Sequence, residues 1–219
     1  MYSTRSGMKN NSIVLTYHDS LLRESDVHLL KGSHWLNDTI IGFYMEYLSH
    51  EMYPGCGLLF ISPEVTQCMK ESPRSEQEIF LDPLYRDHSF VFFPLNNNEA
   101  VDYAGGTHWS LLVYSRNQNM FFHFDSSTGT NYSAANKLAL KIHYYFNKSL
   151  DDFQIVEVSD CLQQDNSYDC GIYLLCFIDH LAKEVLRHGE LNDYGIMDRS
   201  LFQNKRSELL SLINGLRGN

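Results

Sequence analysis

The sequence predicts an α+β domain, and three observations carry that reading. Runs rich in aromatic and β-branched residues, SFVFFPL, THWSLLVY and MFFHFD, cluster in the middle of the chain. Segments with apolar residues at helical spacing lie on either side of them. No internal repeat, low-complexity tract or Pro/Gly/Ser linker divides the 219 residues, so residues 12–219 are expected to form one domain. The lead-in MYSTRSGMKNN, residues 1–11, lacks the apolar stretch of a secretory signal and is expected to be disordered.

Taken in order, SIVLTYHDSLL begins as a short strand. HWLNDTIIGFYMEYLSHEM has Ile40, Ile41, Tyr44, Met45 and Leu48 at helical spacing, with Asn37 or Asp38 as N-cap. In ISPEVTQCMK, Ser62 caps a helix that has Pro63 at its first position. SEQEIFLDPL gives a short helix ending before Pro83, and SFVFFPL (89–95) a buried strand. NNNEAVDYAGG (96–106) is a polar loop ending in two glycines, expected to be mobile. THWSLLVY and MFFHFD flank the turn SRNQN as an antiparallel hairpin pairing Ser115 with Met120. SAANKLALKIHYYFNK is a helix, FQIVEV a strand and GIYLLCFIDHLAKEVL a helix apolar on most of its circumference. RSLFQNKRSELLSLIN closes the chain as a helix, with Gly215 just beyond it.

Hydrophobic residues make up 43% and charged residues 20%, enough apolar material for a core. No run approaches the roughly 18 apolar residues of a membrane helix. The formal charge of −10 argues against nucleic acid as a partner and allows a basic protein surface as one. Cysteines 56, 68, 161, 170 and 176 are odd in number and lack CxxC spacing. That disfavours a disulfide framework or structural zinc and fits the cytoplasm and nucleus.

One stretch, QQDNSYDCGIYLLCFIDHL, sets a cysteine between a polar loop and a long apolar helix. A thiol attacks carbonyls as the thiolate, and a helix N-terminus favours that form by aiming N–H dipoles at the sulfur. Cys170 has this placement, and Gly171 admits another chain at close range. Asp169 either caps the helix or, turned toward the sulfur, opposes the thiolate. Cys176 lies further in and reads as a core residue. A catalytic thiolate needs an imidazole base and an acceptor to orient it. His108 opens a strand after the glycine pair, and the hairpin register makes Asp125 its diagonal neighbour on the same face. His123 shares that face and reads as structural. Gln164, six residues before Cys170, offers an amide to an oxyanion beside the Cys170 N–H. Each residue alone has an ordinary structural explanation; the order His, Asp, Cys is the specific feature, and it reverses that of papain-like proteases.

The set GGTHWSLLVY, FFHFDS, QQDNSYDCG and WLND resembles the Ulp/SENP cysteine proteases, which process ubiquitin-like modifiers. The resemblance runs from about Val14 onward, and LLRESDV, TIIGF and FISPEVTQ are similar to the deneddylase branch. It implies a papain-like α+β fold with a small central sheet, the triad His108, Asp125 and Cys170, and Gln164 in the oxyanion hole. It further implies that Trp35 and Trp109 close over a modifier's C-terminal Gly-Gly, and that Asp38 meets a basic residue of that tail. On this reading the protein is a thiol protease that cleaves after the Gly-Gly of a Nedd-type modifier. It processes the precursor and releases the modifier from conjugated lysines, as a monomer without metal, cofactor, nucleic acid or membrane. The near absence of sequence beyond the catalytic domain also favours the Nedd-type modifier over SUMO. The 96–106 loop is expected to fold over the tail, with Glu99 and Asp102 reading basic residues. Alternatives are a SUMO protease with the same chemistry, a non-catalytic module binding ubiquitin-like proteins, and an acetyltransferase on a related scaffold. The tail after about residue 188 carries no functional expectation.

Overall fold

The computed structural model describes residues 11–80, 87–100, 105–147, 149–192, 195 and 197–218. The expected lead-in lies outside them except for Asn11, which is bonded to the fold: its carbonyl accepts from Arg23 Nη1 at 3.0 Å. The first element differs from expectation. Instead of one strand there is a hairpin of β1 (Ile13–Tyr17) and β2 (Ser20–Arg23), with His18 reversing the chain at φ 44°. After the short α1 (Glu24–His28), α2 (Asp38–Tyr47) is capped by Asn37, whose Oδ1 accepts from Ile40 N at 3.1 Å. Asp38 is thus the first helical residue and not the cap.

β3 (Leu58–Phe60) leads into α3 (Pro63–Glu71), which starts as predicted, with the Ser62 hydroxyl accepting from Val65 N at 3.3 Å. The carbonyls at its other end accept from Lys141 Nζ, a cation where the helix dipole favours one. Then come α4 (Gln77–Phe80), β4 (Phe90–Asn96), β5 (Trp109–Ser115), β6 (Met120–Phe124), α5 (Tyr132–Asn147), β7 (Ile155–Glu157), α6 (Cys170–His188) and α7 (Arg199–Leu216). The predicted end of the short helix, before Pro83, lies outside the described residues. Gly215 sits inside the last turn of α7 and not beyond it. The helix ends on Arg217 in right-handed conformation, so no left-handed glycine is required there.

β3 to β7 form one mixed sheet in sequence order. Its outer pairs are parallel and the two central pairs antiparallel, with Ser115 opposite Met120 as the sequence predicts. Alternation along the strands splits the core in two. Phe90, Phe92, Leu111, Val113 and Phe122 join a cluster with α2 and α6. Val91, Phe93, Leu112, Tyr114 and Phe121 join another with residues of α5. The fold is α+β with a helix-covered central sheet. His108 and Asp125 lie just past the ends of β5 and β6, and the N-terminus of α6 arrives at the same edge from the other face.

Candidate active site

His108 continues the alternation that puts Ser110 and Leu112 on one face of β5, and Asp125 does the same for β6. The β5–β6 ladder ends at Leu111 and Phe124, so the two side chains meet beyond the last paired residues. His108 Nε2 lies 2.5 Å from Asp125 Oδ1, and both groups are buried. The carboxylate is held on every side. Ser127 N donates to Oδ1 at 2.9 Å, and Asn131 N donates to Oδ2 at 3.0 Å. The Asp125 carbonyl accepts from Gln163 Nε2 at 2.9 Å. With Nε2 engaged, the other ring nitrogen of His108 is left for the Cys170 sulfur, whose interaction with the ring helps to raise the imidazole pKa. Burial alone would lower the imidazole pKa. The bonds to Asp125 and Cys170 and the charges of both outweigh burial and raise it from 6.5 to about 9.

His123, the rival histidine, is fully buried, and its Nε2 lies 3.0 Å from Ser110 Oγ. Burial pulls its pKa down to about 4, with the charge of Asp125 opposing and that of His108 assisting. It is a neutral support, not a base. Asn131 is a residue the sequence did not single out. Its Nδ2 stands within 3.3 Å of Leu95 O, 3.2 Å of His108 O and 3.0 Å of Ser110 Oγ. Its Oδ1 is buried without a partner among the described residues. The only hint in the sequence was an asparagine just ahead of a helix, which reads equally well as a cap.

Cys170 is the first residue of α6, so its N–H has no intrahelical acceptor. Gly171 explains how the next wall docks. A Cβ there would fall 2.9 Å from Leu36 Cβ, so only glycine lets the Trp35–Leu36 segment rest on the first turn of α6. Asp169 takes neither of its expected positions. It makes no side-chain cap. Its carboxylate is bound by Arg206, at 2.6 Å from Nη2, and by Asn166 Nδ2 at 2.9 Å. Cys176 points into the core, where burial pushes its thiol up and its Sγ contacts Leu201 O.

The two glutamines are not interchangeable. Gln163 clamps the turn after β6, accepting from Thr128 N at 3.0 Å while donating to Asp125 O. Gln164 accepts from Ser126 Oγ at 2.7 Å and donates one amide hydrogen to Asn166 O at 2.6 Å. Its second amide hydrogen has no partner among the described residues, and Gln164 is not among the residues that line the cavity holding Cys170.

A cavity of about 520 Å³ brings Trp35, Asp38, Gly105, His108, Trp109 and Cys170 together. Cys170 is only 2% exposed, so its sulfur is reached through this cavity. Trp35 is 48% exposed and donates from Nε1 to Ser167 O, whereas Trp109 is half-buried and donates to Leu36 O. Cys68, which the sequence left without a role, lies in the same wall. Residues 96–100, the root of the polar loop, are fastened, and residues 101–104 lie outside the described residues. Buried Lys70 donates to Asn96 O at 2.5 Å and Asn98 O at 2.6 Å, and Gln67 Nε2 holds Asn98 O and Ala100 O. Burial keeps the Lys70 pKa below the usual lysine value, with Glu71 opposing. Gly106, at φ 79°, is fixed by space as well: a Cβ would lie 1.7 Å from Asn96 Oδ1. Asp102 lies outside the described residues. Among the described residues no cluster of three or more His, Cys, Asp or Glu could hold a metal ion, and no helix is long and apolar enough to cross a membrane.

Residues 60–212 match the Ulp1 protease family, C-terminal catalytic domain. The chain is similar to Sentrin-specific protease 8 of Homo sapiens, 41% identical over 207 residues, covering 93% of this chain and 97% of that protein. It is also similar to NEDD8-specific protease 1 of Arabidopsis thaliana, 34% identical over 207 residues, with coverages of 93% and 88%. Among solved structures, the C-terminal Ulp1 protease domain in complex with SMT3, the yeast orthologue of SUMO, superimposes with a TM-score of 0.69. That match covers 95% of this chain and 89% of the other at 20% identity, a likeness of fold alone.

Proposed function

The chain belongs to the Ulp1 protease family and is a cysteine protease, and from that premise we propose that it cleaves after the C-terminal Gly-Gly of a Nedd-type ubiquitin-like modifier. The products are the mature modifier from its precursor and free lysine side chains from its conjugates. The observation that supports this reading is a cavity whose lining includes both indoles together with His108 and the buried Cys170. A tail of glycines can lie flat between indoles where any larger side chain would be excluded. Asp38, exposed at the cavity and first in α2, is placed to meet a basic residue of the tail.

The proposed chemistry follows from the contacts. The Cys170 thiolate, paired with protonated His108, adds to the glycine carbonyl. The oxyanion accepts hydrogen bonds from the Cys170 N–H and the spare Gln164 amide hydrogen. His108 then gives its proton to the departing amine, and the C–N bond breaks to leave a thioester on Cys170. Water, deprotonated by His108, adds to the thioester. The thiolate departs, leaving the modifier with a free C-terminal carboxylate. Asp125 orients the imidazole throughout. All five cysteines are free thiols, which supports work in a reducing compartment, the cytoplasm and nucleus. Monomeric action is part of the same proposal.

Relatives named for NEDD8 favour that modifier over SUMO. The test is kcat/KM on matched C-terminal fusions of the Nedd-type modifier, SUMO and ubiquitin. A preference of about 10²-fold or more for the first is expected, roughly 2.7 kcal/mol of differential transition-state binding. Preferential cleavage of SUMO would overturn the modifier assignment. Absence of a modifier thioester on Cys170 in time-resolved mass spectrometry, with binding intact, would instead indicate a non-catalytic module.

A further inference from the structure

The carboxylate of Asp169 stands one residue before the sulfur that the proposed chemistry needs as a thiolate. An unpaired carboxylate there would repel the thiolate and offset the favourable N-terminal dipole of α6. The structure removes this conflict from behind. Arg206, on α7, reaches Asp169 Oδ1 from Nε at 3.1 Å and from Nη2 at 2.6 Å. The same guanidinium donates from Nη1 to Leu29 O at 2.7 Å and from Nη2 to His34 O at 2.7 Å. Leu29 and His34 belong to the segment that runs into Trp35 and Leu36, and Leu36 rests against Gly171. One planar cation thus joins three parts of the chain: the cap residue of α6, the approach to the Trp35 wall and the last helix. A lysine has no such fork.

We infer that Arg206 is a positioning residue for the protease reaction: it holds the Asp169 carboxylate away from Cys170 and fixes the Trp35 segment against the first turn of α6. The inference rests on the reading of Cys170 and His108 as the catalytic pair. Other charged groups face the same region. His108 with Asp125 comes from the sheet edge, Asp38 from α2 and Glu64 from α3 line the cavity, and Asp165 lies in the preceding loop. Unlike these, Asp169 is adjacent in sequence to Cys170 and is bound by a guanidinium from another element.

The experiment is the pH dependence of Cys170 alkylation by iodoacetamide, followed by peptide mass spectrometry, together with kcat and KM on the modifier fusion. In Arg206→Met the alkylation midpoint should rise by roughly half a pH unit or more, as expected for a nearby partly solvated charge. kcat/KM should fall about tenfold, in part through a raised KM because the Trp35 segment is no longer held. In the double variant Arg206→Met, Asp169→Asn the midpoint should return to that of the wild type while the raised KM persists, because Trp35 is still unheld. A midpoint unchanged in folded Arg206→Met, or not restored by the second substitution, overturns the inference. Should Arg206→Met fail to fold, Asp169→Asn alone decides. A midpoint that falls by less than a unit, because Arg206 is left as an unpaired cation, agrees with the inference, and an unaltered or raised midpoint or a fall of a unit or more overturns it. His108→Ala separates the two levels: if it leaves the alkylation profile unaltered, the catalytic pair itself is wrong, whatever Arg206 does.

Discussion

His108 and Asp125 meet at 2.5 Å although the ladder of the strands that carry them ends at Leu111 and Phe124. Their contact is set by a scaffold beyond the sheet: Ser127 N, Asn131 N and Gln163 Nε2 fix Asp125, and Asn131 Nδ2 fixes the His108 carbonyl. Asp125→Asn should therefore lower kcat by about 10³–10⁴, since the imidazole loses its acceptor and its tautomer. It should also lose stability, because an amide nitrogen would face backbone donors. Steady-state kinetics with a thermal melt reads both, and kcat within tenfold of wild type would remove Asp125 from the triad.

The cysteines divide by environment. Cys170→Ala should abolish cleavage by on the order of 10⁴-fold or more while keeping modifier binding. Cys176→Ala should keep kcat and lose about 1–2 kcal/mol of stability, as for a small cavity in a core. Isothermal binding and cleavage assays on the two variants decide between them; the reverse pattern would move the nucleophile.

Gln164→Ala should lower kcat by roughly 10²–10³ with little change in KM, the effect of one lost oxyanion donor. Gln163→Ala should act differently. It releases the Asp125 carbonyl and Thr128 N, costing about 1–3 kcal/mol of stability. Equal kinetic damage without that loss of stability would mean the two glutamines have been assigned the wrong way round.

Trp35 and Trp109 are the only indoles in the chain. Trp35, half exposed, should shift its emission to the blue when the Gly-Gly tail covers it, and a modifier truncated before the Gly-Gly should produce a much smaller change. Identical spectra with both ligands would make the indoles structural.

Two of the three buried histidines among the described residues, His108 and His123, give stability opposite pH limits, and burial also lowers the pKa of the third, His143. His108 rises from 6.5 to about 9 on folding, so its contribution is whole below about 6.5 and is lost as pH rises through about 9. His123 falls from 6.5 to about 4, so its contribution is whole above about 6.5 and is lost as pH falls toward about 4. Melting temperatures across pH 4 to 10 should drop at both ends. His123→Phe should reduce the acid drop, leaving the part that His143 sets, and keep the alkaline one; an unchanged acid limb would show that His123 does not contribute to it.

Elements with short-range causes were legible in the sequence. The Ser62–Pro63 helix start, the Ser115–Met120 register and the helix beginning at Cys170 each depend on neighbours within a few residues. That register placed His108 beside Asp125. Its chemistry narrowed ten histidines to one. The first hairpin was missed because His18, a residue that only sometimes adopts a positive φ, makes the turn without glycine. Nothing local shows that Lys70 and Gln67, on another helix, hold carbonyls at the root of the polar loop.

The sequence by itself determined the α+β class, a cysteine at a helix terminus and the order His108, Asp125, Cys170 of the proposed triad, since periodicity, capping and strand register are properties of adjacent residues. Only the tertiary structure decided where the Asp169 carboxylate turns, which atoms grip Asp125, and that the last helix reaches the site at all. Arg206 bonds a carbonyl 177 residues away and a carboxylate 37 away. A long side chain or a carboxylate takes whichever partner packing brings within about 3 Å, and no spacing along the chain specifies that partner.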